Sequence, residues 1–530
     1  MKKHFFTLGL CLAFAGYVYA EDNSPAAQTE RTEINQYGQQ VTTAPLEATV
    51  RNGVTWFENK EKGYRFWFDN RVQVDFANYH NQRNGTITGP DGSNGNFNDP
   101  NSTPHMPGGI SLRRIRFAMK AEISDQWYGE LDFNMANGNF GVQDAFIQFD
   151  GLSRFGLQFK LGNFKEDFSM EYTTSSRYVT FMERPMCVTA FNFTRRLGFQ
   201  AQWLHPQSWL RVSAGVTGQE IDGWTLRMNV EENMKREIRG SGPNFTGKIV
   251  LMPWGSEPDQ GLHFGYNIQH RSGRWISDDL DERFGRHDTR SWYAMRVDSR
   301  NSTHVNRTKY LDTRWFNGVR RSLYQGFELA GYKNGFRFGS EFIMQDAIMD
   351  RTLFNFPTFS GSNAQELADI YAKNKRFWGF YIQTGYLLFG GKQRYDVSQS
   401  EFTQPTRGRS WGDLEVLFRY DYLDLNNNHN DRLVHEVLPN DIVGQPGGSA
   451  HNFTFGLSYW INPSMRFTMN YMISQTDVFA NGGGGRNPAG RRYTAVGRNA
   501  AGHYTANPFD VVSDPGIRFN TLQMRLEIWF

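Results

Sequence analysis

The sequence predicts an all-β protein: a sixteen-stranded antiparallel transmembrane β-barrel with short periplasmic turns and long extracellular loops. Three observations carry that expectation. Segments of about ten residues alternate apolar and polar side chains with a period of two. The connections between them alternate between short and long. The chain also ends on an amphipathic stretch closed by an aromatic residue, Phe530.

Composition agrees. The 530 residues include 44 Phe, 23 Tyr, 14 Trp and 53 Gly, yet only 39% are hydrophobic, and the mean hydropathy is −0.61. Many aromatics in a polar chain suit strands that are apolar on one side only. No apolar run reaches the roughly 18 residues a spanning helix needs. With 57 Lys+Arg against 54 Asp+Glu, the broad basic footprint of a nucleic-acid binder is missing. Two cysteines, Cys11 and Cys187, exclude a disulfide scaffold and a Cys-based zinc framework.

From the N-terminus, Lys2 and Lys3 precede an apolar core at 5–15, and Val18-Tyr19-Ala20 offers small residues before Glu21. This predicts a signal peptide at 1–20 and export to a Gram-negative-type outer membrane. Cys11 lies deep in the apolar core behind the large Leu10, which argues against lipoprotein processing. Residues 21–60 are polar and read as a flexible lead-in; the barrel is expected over 61–530.

In 64–76 the even positions are Tyr64, Phe66, Phe68, Val72, Val74 and Phe76, against Arg65, Asp69, Arg71, Gln73 and Asp75. In 115–123, Ile115, Phe117, Met119, Ala121 and Ile123 alternate with Arg116, Lys120 and Glu122. Strands are expected to begin near 64, 110, 127, 141, 155, 194, 209, 243, 261, 322, 335, 376, 411, 451, 464 and 516. Short links such as 124–126, 333–335 and 462–464 alternate with long ones rich in Gly, Asn and Pro, at 81–109, 272–321, 423–450 and 476–515. Two features depart from this scheme. The link 390–410 is long where parity demands a short one, and a strand-like piece at 290–297 sits inside a loop. In 522–530, Leu522, Met524, Leu526, Ile528 and Phe530 share one face, with Gln523, Arg525 and Glu527 on the other. Such a terminus is similar to the assembly signal of outer-membrane barrels, and closure leaves no strand edge in hydrocarbon. Aromatics near strand ends (Tyr64, Trp127, Trp203, Trp209, Tyr459, Trp460, Trp529) are expected as interfacial girdles.

Enzymatic and metal signals are weak. His263, His270 and His451 have no ligand spacing, and His435-Glu436 lacks the second His of a zincin. The glycines of 482–485 before Arg486 have no strand-loop-helix context, and there is no G-x-S-x-G elbow. No cofactor, metal or catalysis is expected.

The stretch Gly162-Asn163-Phe164-Lys165-Glu166-Asp167-Phe168-Ser169-Met170-Glu171, followed by Thr174-Ser175-Ser176-Arg177-Tyr178-Val179-Thr180-Phe181-Met182-Glu183-Arg184-Pro185, resembles the signature of the phosphate-selective porin O and P family. Arg113-Arg114-Ile115-Arg116, Gln143-Asp144-Ala145-Phe146-Ile147, Arg419-Tyr420-Asp421-Tyr422-Leu423-Asp424-Leu425 and Asn462-Pro463 match in the same order. The resemblance implies a homotrimeric sixteen-stranded porin in outer-membrane lipid, with loop 165–193 folded into the lumen as a constriction. It also implies passage of small anions, phosphate or polyphosphate above all.

Arginine suits that task because its planar fork donates paired hydrogen bonds to an oxyanion. Parity turns Arg65, Arg71, Arg114, Arg116, Lys120 and Lys160 toward the lumen, and the loop region adds Lys165, Arg177, Arg184, Arg195 and Arg196. The resemblance places Arg113 and Arg114 where consecutive strand arginines line the constriction, and Arg177 where a loop base does. The expected solute-binding set is Arg113, Arg114, Arg116, Lys120, Lys160, Lys165, Arg177 and Arg184. Parity also puts Asp69, Asp75, Glu122, Glu130, Asp132, Asp144 and Asp150 on the lumen face. Each base therefore has a competing role in a wall-building ion pair. A general or sugar-permeable porin, or a barrel whose loops bind surface partners, stands beside the anion porin as an alternative.

Overall fold

The computed structural model describes residues 31–43, 46–51, 54–84, 87–88, 94–95, 106–138, 140–192, 195–218, 242–254, 257–276, 292–313, 316–350, 369, 372–427, 445–477, 480, 496–498, 504–506 and 517–530. The expected signal peptide, His435-Glu436 and 482–486 lie outside the described residues.

Sixteen strands close into one antiparallel barrel. They are β1 (Arg71–Asn84), β2 (Gly109–Ile123), β3 (Trp127–Asn134), β4 (Gly141–Phe149), β5 (Leu157–Phe164), β6 (Arg196–Leu204), β7 (Leu210–Thr217) and β8 (Asn244–Leu251). The second half is β9 (Gln260–Ser272), β10 (Val319–Lys333), β11 (Phe336–Met349), β12 (Lys375–Leu387), β13 (Asp413–Asn427), β14 (Gln445–Asn462), β15 (Met465–Thr476) and β16 (Ile517–Trp529). Each pairs with the next, and β16 returns to β1 in a register running from Ile517↔Asn84 to Trp529↔Arg71. Every expected strand is present. The alternation does what the sequence asks of it: along β11, Arg337, Glu341 and Gln345 are buried toward the lumen while Phe336 faces out. Turn chemistry fits too. Ser124 and Asp125 (φ 53° and 54°) join β2 to β3, and Asn334 (φ 50°) with Gly335 joins β10 to β11, as tight hairpins require.

The first strand differs from expectation. It breaks at Asp69-Asn70 into Tyr64–Phe68 and β1 because its neighbour changes there. Asn70 exchanges backbone hydrogen bonds with the terminal Phe530, where β16 ends. Below that point Tyr64–Phe68 pairs instead with Val54–Asn59, which pairs with Glu47–Arg51. The stretch 21–60, expected as a flexible lead-in, therefore carries the strands Glu47–Arg51 and Val54–Asn59 and a further hairpin of Arg31–Ile34 with Gln40–Thr43. Arg65, expected to face the lumen, belongs to this extension and pairs with Glu122 at 2.9 Å. The girdle also needs correction. Tyr64, Trp127 and Trp209 are exposed as expected, but Trp460 and Trp529 are 1% and 2% exposed, on the lumen face of β14 and β16. Trp460 donates to Glu415 at 3.2 Å.

Three segments fill part of the lumen. One is 165–192, after β5, with the short helices α1 (Met170–Thr173) and α2 (Met186–Phe191). A second is 296–313, within the loop that joins β9 to β10. The strand-like piece expected there is Trp292–Met295, in a small sheet with Arg274–Ile276 and Phe316–Asn317. The third is the long periplasmic link 388–412, which folds inward. The Asp413 carboxylate gathers its backbone by accepting from Phe389, Gly391 and Gly408 at 2.8–2.9 Å. The Ser398 carbonyl accepts from Gln202 and Arg211 of the opposite wall. Loop residues Phe168, Met186, Val188 and Phe191 pack with Ile343, Phe377, Leu423 and Met472 of the wall as a buried apolar core. One side of the barrel is thus solid.

Candidate functional site

The wall that holds the constriction loop is built of buried charges. Arg525 donates to both oxygens of Asp75 at 2.7 Å, to Glu183 at 2.8 Å and to the carbonyl of Met182. Arg419 donates to the Glu183 carbonyl at 2.8 Å and Arg466 to the Val179 carbonyl at 3.0 Å. From β10 and β11, Glu328 and Glu341 accept from the amides of Met170 and Glu171, both at 2.7 Å. These are helix-start donors with no partner inside α1. Glu328 also binds Lys248, Asn267 and His263. Glu328→Gln is therefore expected to weaken the loop's seat by about 1–3 kcal/mol, and single-channel recordings should show added open-channel noise. An unchanged noise spectrum would count against that anchor.

On the other side of the loop, facing β1 to β7, lies an open cavity of about 420 Å³. All eight expected residues line it: Arg113, Arg114, Arg116, Lys120, Lys160, Lys165, Arg177 and Arg184. Arg113 and Arg114 are consecutive, so regular alternation would point one of them at lipid. A β-bulge prevents this. Gln73 pairs with Arg114 and Val74 with Leu112, leaving Arg113 as an extra residue, and a bulge re-aims a side chain in this way.

The eight divide by partner. Arg113 grips Glu183 with two hydrogen bonds of 2.7 and 2.9 Å. Arg116 pairs with Asp132 at 2.7 Å, and Lys120 and Arg177 share Asp69 at 2.8 and 2.6 Å. Among the described residues, the other four have no carboxylate within 4.0 Å. Arg114 donates to the Gln73 amide oxygen at 2.7 Å. Lys160 lies over the rings of Phe146 and Phe164. Lys165 reaches the carbonyls of Tyr172 and Thr173, and Arg184 those of Glu171, Tyr172 and Thr174. Burial would raise the Glu183 carboxyl, but Arg113 and Arg525 outweigh it and hold it well below the usual range. Burial, reinforced by Arg184 and Arg195, pushes the Lys165 ammonium well down.

Nine other charged residues line the cavity, three basic and six acidic. Arg71, Arg195 and Arg211 are basic; parity reaches Arg71, and the burial alternation of β7 would have reached Arg211. Arg195 pairs with Asp144 and Arg211 with Asp167. Glu401 enters from the inward-folded turn, for which the sequence carries no signal beyond the link's length. In total, eleven basic and six acidic side chains line the space.

With this geometry in place, comparison with known proteins is specific. The family model described as phosphate-selective porin O and P matches residues 88–481. The chain belongs to that family. It is a porin barrel of the outer membrane rather than an enzyme. Porin O of Pseudomonas aeruginosa is 25% identical to this porin over 442 residues, covering 80% of this chain and 86% of that protein. An uncharacterized protein of Caulobacter vibrioides is 24% identical over 367 residues; the match covers 68% of this chain and spans 62% of the relative's length. Among solved structures, the anion-selective porin from Comamonas acidovorans overlaps 88% of this porin and 100% of its own chain, at 8% identity and a TM-score of 0.43. The trimer form of OmpT from Vibrio cholerae overlaps the same shares at 9% identity and a TM-score of 0.41.

Proposed function

We propose that this porin passes small anions in preference to cations, with phosphate and polyphosphate the leading solutes. The observation that carries the reading is the charge balance of the cavity, eleven bases against six acids, with four bases tied to no carboxylate. In that arrangement Arg114, Lys160, Lys165 and Arg184 meet the solute. Arg113, Arg116, Lys120 and Arg177 hold the wall and loop while adding to the field. A base about 6 Å from a permeating anion contributes about 0.7 kcal/mol across a water-filled lumen, so several uncompensated bases acting together suffice for selectivity. The seryl hydroxyls of Ser175 and Ser176 on the same lining offer an oxyanion further donors. A homotrimer in outer-membrane lipid fits the family, and cross-linking of the folded protein tests it.

The deciding experiment is planar-bilayer conductance across a salt gradient, followed by phosphate titration. A zero-current potential of the sign set by anions, with chloride current blocked at low phosphate, is the expected result. A weakly selective current indifferent to phosphate would instead establish a general porin. That second reading draws on the carboxylates of Glu130, Asp132 and Asp144, which gather within 4.8 Å of one another.

A further inference from the structure

We propose that Glu401, on the inward-folded periplasmic turn, sets how strongly the cavity prefers anions: it lines the basic space, and its charge offsets the uncompensated bases. The proposal rests on the anion-porin reading and names the residue that tunes it.

The cavity's acids are otherwise spent. Asp69 is held by Lys120 and Arg177, Glu130 lies 3.7 Å from Lys120, and Asp132, Asp144 and Asp167 pair with Arg116, Arg195 and Arg211. Among the described residues, Glu401 is the lining acid that forms no ion pair within 4.0 Å. It is fixed in place nonetheless. The two-residue strand Glu401–Phe402 pairs with Tyr395–Asp396, and Phe402 shares a buried apolar cluster with Met170 of the constriction loop. Turn and loop thus meet at this point, one from each side of the membrane, and the carboxyl sits at the junction.

The charged groups around it come from every neighbouring element. Lys165 faces it from the loop, Lys248 from β8 and Asp396 from its own hairpin. Arg184, Arg195 and Asp144 face Lys165 in turn. Burial lifts the Glu401 carboxyl to about 7, with Lys165 pulling the other way and Asp396 adding to the rise. The Lys165 ammonium is displaced downward by burial. Both displacements have the same consequence for the pore. As pH rises through neutrality the carboxyl gains its negative charge, and the lysine is brought nearer to losing its positive one. The cavity becomes less positive, and anion preference falls.

The test is the zero-current potential of wild type, Glu401→Gln and Glu401→Asp in a potassium chloride gradient, at about pH 5.5 and about pH 8.5, which bracket a carboxyl titrating near neutrality. Gln keeps the size and shape of the side chain and removes only the charge; Asp keeps the charge. At the higher pH the Gln variant should exceed wild type in anion-to-cation permeability by about threefold, the change one charge makes at roughly 6 Å in a water-filled space. The Asp variant should stay near wild type, and at the lower pH wild type and the Gln variant should converge. Equal ratios for wild type and Glu401→Gln at the higher pH would overturn the proposal. A wild-type channel with no anion preference at either pH would sink the anion reading itself. Glu401 would then still be judged by the difference between the Gln variant and wild type.

Discussion

Arg525→Ala is expected to cost the barrel about 3–5 kcal/mol, the usual penalty for removing one partner of a buried ion pair. Few side chains here join as much. Arg525 leaves β16, crosses the closing seam to Asp75 on β1 and reaches the constriction loop at Met182 and Glu183, with its side chain 0% exposed. Its loss strands the buried Asp75 carboxylate, 1% exposed, without its cation. Glu183 keeps Arg113, so the loop should loosen rather than detach. A urea titration of the folded protein in lipid should show the lower midpoint, and bilayer recordings should show larger and noisier steps. A variant with the wild-type midpoint would mean that the seam is held elsewhere.

Arg114→Met combined with Lys160→Met should produce the largest loss of selectivity. Neither residue holds the loop or satisfies a carboxylate, so the substitution removes field without exposing a stranded acid. Methionine keeps much of the apolar stem of each chain. Two bases worth about 0.7 kcal/mol each in the water-filled space imply that phosphate block should weaken by about tenfold. The contrasting variant is Arg177→Ala. Its partner Asp69 stays bound to Lys120, so the effect should be several times smaller. If the double variant keeps wild-type phosphate block and zero-current potential, the uncompensated bases are not what the solute meets.

The wall was legible in the sequence because period two is a property of each strand alone. Gln523, Arg525 and Glu527 fall inside by the same rule that puts Leu522 and Phe530 outside. Trp529 shows the cost of setting that rule aside: it follows Glu527 in phase and faces the lumen, although its place near a strand end suggested the interface. The set of cavity bases was legible as well, through alternation for Arg116, Lys120 and Lys160 and through the family signature for Lys165, Arg177 and Arg184. Their division into tied and untied groups was not. Arg116 meets Asp132 only because of the register between β2 and β3, in which Arg116 stands opposite Asn134, and no single strand encodes that register. Glu401 was invisible for a related reason. A long link in a short-turn position signals an anomaly, but the direction in which it folds depends on contacts with Gln202 and Arg211, far away in the chain.

The bulge at Arg113 makes the length of β2 a determinant of what the channel accepts. In a strand of uniform pleat, excising one residue inverts every side chain on one flank. Here, removing Arg113 would erase the irregularity instead. Ile110 and Leu112, already paired with Phe76 and Val74, could keep their outward faces, while the two adjacent guanidinium groups would become one. Loss of that one codon would thus leave the pleat of the strand intact while taking from Glu183 one of its two arginine partners, so a change in chain length registers at the constriction as a change in charge.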